Sequence, residues 1–185
     1  MSKIAIGIVL IPEQKASEKI VALNSQLEDH SIALNMASAI PHITLAMAHV
    51  RHVDLSIIQA ELSKWKASHI FTVVSVSSHL SRSGKNLLWL DVSLNKELRV
   101  LHLKAMKIRR RYHVKGAIAR SLQTESLSPN DLVYVEGFEH YAFDRYTPHV
   151  TLGYGKLDEE VLPFSFEAEV KLGQLGEHCT LAKLL

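Results

Sequence analysis

The strongest constraint on this chain is a five-residue string that occurs twice with only its third residue changed. It reads Pro41-His42-Ile43-Thr44-Leu45 and again Pro148-His149-Val150-Thr151-Leu152. Both copies sit in apolar, β-branched surroundings that predict a strand. Side chains alternate across a strand, so His42 and Thr44 share one face while Ile43 and Leu45 share the other. His149 and Thr151 are separated from Val150 and Leu152 in the same way. The apolar pair anchors each strand in a core, and the polar pair is offered to whatever lies opposite. One His-x-Thr on a strand is ordinary, because Thr favours strands and His tolerates a half-exposed face. Two copies with the same Pro before and the same Leu after point to a duplicated unit that carries a function.

The rest of the chain supports two similar halves. Residues 3–11 predict an apolar strand, and 15–29 a helix with Ala16, Ile20, Leu23 and Leu27 on one face. A strand at 42–49 follows, then a helix that Asp54 can cap and in which Leu55, Ile58, Leu62 and Trp65 share a face. Residues 70–79 read as a strand, and Ser81-Arg82-Ser83-Gly84-Lys85 as a turn. The second half opens with a strand at 87–94 and a helix at 96–112 whose inward side is Leu98, Leu101, Ala105, Ile108 and Tyr112. Strands at 148–154, 164–172 and 178–185 close the chain. The stretch 114–146 fits least well and reads as a helical tail followed by a loop. Strands interleaved with helices favour an α/β or α+β layered fold. Two lobes related by a pseudo-twofold, built from roughly residues 1–80 and 86–185 with strand exchange allowed between them, account for the repeat as one domain of 185 residues.

Composition narrows the function classes. No apolar run approaches the roughly 20 residues a membrane span needs. The apolar N-terminus has little basic flank and no small-residue cleavage site, so it reads as a buried strand rather than a signal peptide. One cysteine, Cys179, excludes an internal disulfide framework and suits a reducing cytoplasm. A net charge of +2 is too small to announce nucleic acid by itself. There is no His-Glu-x-x-His and no paired cysteine, so neither a metal nor another cofactor is expected. A monomer is expected.

Two imidazoles titrating near neutrality can supply a general base and a general acid on opposite sides of a phosphorus centre. Two threonine hydroxyls can hold the non-bridging phosphate oxygens, where charge accumulates. At these residues the chain resembles the two-histidine (2H) phosphoesterase superfamily, in particular bacterial 2′-5′ RNA ligase-like proteins and 2′,3′-cyclic phosphodiesterases. The likeness covers most of the chain. It rests on the two repeated strings, on Tyr146 two residues before Pro148, and on Leu88-Trp89-Leu90-Asp91-Val92 followed by an amphipathic helix. The resemblance implies an α+β, bilobal fold in which two antiparallel sheets line a central groove, with helices outside. It implies His42 and His149 as acid and base, and Thr44 and Thr151 as phosphate binders. It also implies His149 as the base in hydrolysis and His42 as the acid, reversed for ligation. The partners it implies are RNA ends or a small nucleotide bearing a cyclic phosphate. The long 114–146 stretch departs from compact members and leaves the substrate open. A non-catalytic RNA- or nucleotide-binding module using the same groove is the alternative, and a purely structural α/β protein a third.

Other residues are weaker candidates. Tyr146 could line the groove and stack on a base, and Arg145 and Arg82 could neutralise phosphate, as could Lys85. Packing or solvation explains each of them as well. His178-Cys179-Thr180-Leu181 is a third His-x-Thr-Leu, without the Pro, on a terminal strand where Cys179 would turn to the opposite, buried face. Lys104, Lys107, Arg109, Arg110, Arg111 and Lys115 could touch an RNA backbone, but a solvated helix face is the commoner outcome. The remaining histidines, His79 and His102 among them, have no motif context and read as structural or surface residues.

Overall fold

The computed structural model describes residues 2–81, 84–115, 129–158 and 160–185. It is an α+β protein with one seven-stranded antiparallel sheet. The strands are β1 (Lys3–Pro12), β2 (Ile43–Arg51), β3 (His69–Leu80), β4 (Asn86–Val92), β5 (His149–Tyr154), β6 (Phe164–Leu175) and β7 (Leu181–Leu184). The helices are α1 (Gln14–Ser25), α2 (Leu55–Leu62), α3 (Lys96–Tyr112) and α4 (Pro129–Glu136), with short 3₁₀ turns between elements.

The order across the sheet is β1-β2-β5-β4-β3-β6-β7, and β6 also pairs with β1. Followed from partner to partner, β1, β2, β5, β4, β3 and β6 therefore return to β1. The ring is thinnest where β2 meets β5, through the single pair Ile43–Val150. The pairing crosses the halves of the sequence. β3 pairs along most of its length with β4, and β6 with β1.

Helices form where the apolar stripes predict them. Ile20 and Leu23 of α1, Ile58 and Leu62 of α2, and Leu98, Leu101, Ala105 and Ile108 of α3 are buried. The start of α3 is fixed by Asn95, whose side chain accepts the Leu98 N–H at 2.8 Å. Asp54 does not cap α2 through its side chain. Its carboxylate instead takes two hydrogen bonds from Arg51, at 2.8 and 3.0 Å. The helices cover one face of the sheet, where Ile4, Ile6, Ile8, Leu10, Ile43, Leu45, Leu90, Val150 and Leu152 join the main core.

The end of the chain differs from the expected strand at 178–185. Only Leu181–Leu184 is extended, because Glu177–Cys179 forms a 3₁₀ turn with positive φ at His178 and Cys179. Leu181 packs with Val9 and Ile40 in a small second core on the other face of the sheet. Gly173 makes room for it, since a Cβ there would collide with the Leu181 side chain and the Lys183 carbonyl. Within 114–146 the described residues hold α4 and two 3₁₀ turns, Phe138–Tyr141 and Phe143–Arg145.

Candidate functional site

The two repeated strings meet at the thin point of the ring. Ile43 pairs antiparallel with Val150. One step to either side, the register sets Thr44 opposite His149 and His42 opposite Thr151. Ile43, Leu45, Val150 and Leu152 are buried, whereas His42, Thr44, His149 and Thr151 are all half-buried. The four polar side chains thus form a quartet on one face of the sheet, with the histidines on one diagonal and the threonines on the other.

Each string ends in a β-bulge. Ile8 pairs with Ala46 but Val9 with Thr44, so Leu45 is the extra residue of β2. Leu88 pairs with Gly153 but Trp89 with Thr151, so Leu152 is the extra residue of β5. A bulge bends its strand and leaves backbone groups outside the ladder. Both buried bulge carbonyls accept from a buried polar side chain of a helix. The Leu45 carbonyl accepts from His102 Nδ1 of α3 at 2.7 Å. The Leu152 carbonyl accepts from Asn24 Nδ2 of α1 at 2.6 Å. Each helix supports the motif strand that lies in the other half of the sequence.

The histidines are set alike. His42 Nδ1 lies 2.8 Å from the Ile40 carbonyl, and His149 Nδ1 lies 2.8 Å from the Thr147 carbonyl. A carbonyl only accepts, so Nδ1 carries the proton in both rings. In the neutral rings Nε2 is then the basic atom. Burial holds the His42 imidazole below its ordinary range, opposed by the Ile40 carbonyl. Burial also pushes His149 down to about 4, opposed by the Thr147 carbonyl and reinforced by the nearby charge of His42.

Beyond the quartet, the registers lay out two rows of side chains on this face. Ser75, Asp91, His149, Thr44, Val9 and Lys171 make one row, and Ser77, Trp89, Thr151, His42, Ile11 and Glu169 the other. The β3–β4 side is polar and aromatic. On the β1 side, Val9 and Ile11 belong to the small apolar core with Leu181.

The other sequence candidates are placed differently. Tyr146 is buried, its ring stacked on His102 at 3.8 Å and 3°. It donates its hydroxyl to the Thr44 carbonyl at 2.9 Å, so it holds the first motif strand from behind instead of offering a ring to a base. Burial pushes its phenol up, which keeps it a donor. Arg145 is exposed. Arg82 lies outside the described residues. Lys85 is 2.6 Å from Asp29 and sits over the Tyr154 ring. His178 and Thr180 are not a strand pair. Thr180 donates to the Glu177 carbonyl, and His178 sits at positive φ with its ring nearly perpendicular to that of Tyr154. Cys179 is half-buried beside Asp131.

The basic run on α3 does not form one open face. Arg109 turns inward and donates to the Met47 and Glu136 carbonyls, both at 2.7 Å. Arg110 pairs with Glu139 and Arg111 approaches Glu61. Two cavities, of about 210 and 240 Å³, are lined by residues around Arg109 and around Glu167, and none of the quartet lines either. Among the described residues no three His, Cys, Asp or Glu side chains converge as metal ligands. No described helix is long and apolar enough to cross a membrane.

No protein-family model matches this chain, and no curated protein matches it either.

Sequence reasoning missed the residues that hold the quartet in place. His102 and Asn24 carry no motif, since their partners lie 57 and 128 residues away. Trp89 was the findable one. The run Leu88-Trp89-Leu90-Asp91-Val92 alternates, and its apolar members turn to the core, so Trp89 and Asp91 share the histidines' face.

Proposed function

We propose that the chain is a 2H-type phosphoesterase that acts on a 2′,3′-cyclic phosphate or a 2′,5′-phosphodiester of RNA or a small nucleotide. The observation that carries this reading is the quartet: two Nδ1-protonated imidazoles on one diagonal and two hydroxyls on the other. In hydrolysis, one Nε2 takes a proton from water as the water oxygen bonds to phosphorus. The bond from phosphorus to one ribose oxygen breaks, and the other imidazole, protonated at Nε2, gives that oxygen its proton. The product is a phosphomonoester and a free ribose hydroxyl. Thr44 and Thr151 donate to the non-bridging oxygens. The resemblance gives His149 the base role and His42 the acid role. A bound phosphodiester anion between the rings favours protonating one of them, which offsets the burial that keeps both neutral in the free site.

The test is a substrate panel. Cyclic mononucleotides, cyclic-phosphate RNA ends and 2′,5′-linked dinucleotides are offered in the presence of a chelator, and the position of the product phosphate is identified. Turnover of one class is expected, with a single product isomer reporting which bond breaks. No turnover of any, together with steeply salt-dependent RNA binding, would favour the binding module instead.

A further inference from the structure

Trp89 is a ring in the middle of a stack. His149 lies 3.6 Å away at an interplanar angle of 5°, and His79 lies 3.8 Å away at 30°. β3 and β5 flank β4, so the two imidazoles cover opposite faces of the indole. The outer ring is itself tied down. Ser77 donates its hydroxyl proton to Asp91 at 2.7 Å and accepts from His79 Nε2 at 2.8 Å. Ser75 donates to the other oxygen of Asp91 at 2.8 Å. With both faces covered, the indole has none left for a substrate base. No ring stacks on His42 among the described residues, so this device belongs to one histidine of the pair.

The need for it follows from the chemistry of the side chain. The terminal torsion of a histidine is broad. The single bond from Nδ1 to the Thr147 carbonyl fixes one atom of the ring. It leaves the ring free to tilt about that contact, which would swing Nε2 off line. A flat, anchored surface parallel to the ring removes that freedom.

We propose that Trp89, backed by His79, is a positioning residue that fixes the plane of the His149 ring and so aims Nε2 at the reacting oxygen. The catalytic half of this rests on the phosphoesterase reading, while the clamp itself does not. The experiment compares Trp89→Leu, Trp89→Phe and His79→Asn with the unaltered protein. It measures steady-state kinetics on a 2′,3′-cyclic mononucleotide and NMR of the histidine ring protons.

The indole ring current should set the His149 signals upfield of the ordinary imidazole range, and Trp89→Leu should return them. In Trp89→Leu, kcat should fall roughly 10- to 100-fold, with KM changed by less than about twofold. Trp89→Phe should recover most of kcat, because it keeps a flat ring. His79→Asn should lower kcat less than Trp89→Leu does. An unchanged kcat in Trp89→Leu, or a change confined to KM, overturns the proposal. So does an unshifted His149 signal in the unaltered protein. If that protein turns over no cyclic phosphate, the phosphoesterase reading falls alone and the ring signals still decide the clamp. If Trp89→Leu does not fold, Trp89→Phe and His79→Asn carry the test.

Discussion

At the scale of single residues, protonation is what the site regulates. His42 and His149 are both held below the ordinary imidazole range, first by burial. The proposed acid–base mechanism needs one ring neutral and one protonated in the free site, so kcat/KM would require a proton that both rings bind weakly. We expect kcat/KM to peak on the acid side of neutrality and to fall about tenfold per pH unit on the alkaline side. A bound phosphodiester raises the affinity for that proton, so the kcat profile should reach to higher pH. A kcat/KM optimum above pH 8 would contradict this account. Tyr146→Phe tests the support beneath the quartet. It strips the Thr44 carbonyl of its donor and should cost about 1–2 kcal/mol in urea unfolding. It should also lower kcat, although Tyr146 does not face the substrate.

At the scale of elements, the two bulges and their helix partners form one repeated device. Asn24 alone meets three backbone groups: the Leu152 and Ile32 carbonyls and the Leu34 N–H. Asn24→Ala should therefore cost about 2–4 kcal/mol, more than a typical surface change, as read by denaturant unfolding. Gly173→Ala should loosen β7 instead. The new Cβ meets Leu181, and overpacking of this kind costs about 1–3 kcal/mol. Hydrogen exchange should show the loss concentrated in Leu181–Leu184. Much at this scale was legible in the sequence. The alternation in Pro-His-x-Thr-Leu gave the face of each motif residue, and the apolar stripes gave α1, α2 and α3. The bulges were not legible, because an unpaired residue depends on the partner strand's register and not on its own neighbours. The third His-x-Thr misled for a related reason: composition alone does not separate a strand at 178–180 from a turn with positive φ. Tyr146 misled because an aromatic beside a motif can point either way, and its direction was set by His102 from a distant helix.

At the scale of the whole molecule, the ring of strands brings the two repeated strings together at a single residue pair, Ile43–Val150, with the polar quartet around it. The strand order that achieves this is set by tertiary packing, which a repeat in the sequence announces without specifying. The same architecture buries histidines. Burial lowers His42, His49, His102, His113 and His149 alike, the last two to about 4. Between the ordinary imidazole value of about 6.5 and those folded values, the unfolded chain binds protons that the folded chain refuses. Stability present above pH 6.5 should therefore be lost as pH falls towards 4. Each such histidine contributes a slope of about 1.4 kcal/mol per pH unit. Unfolding by urea from pH 7.5 to 4.5 should show a slope steeper than one histidine provides, and a flat profile would contradict the burial. In the proposed reaction His42 and His149 work together on one phosphorus. That joint action is tested most directly by the hydrolysis of a 2′,3′-cyclic nucleotide by His42→Ala and His149→Ala. Each variant should fold and lose about 100- to 10,000-fold in kcat. Activity retained in either folded variant would contradict it.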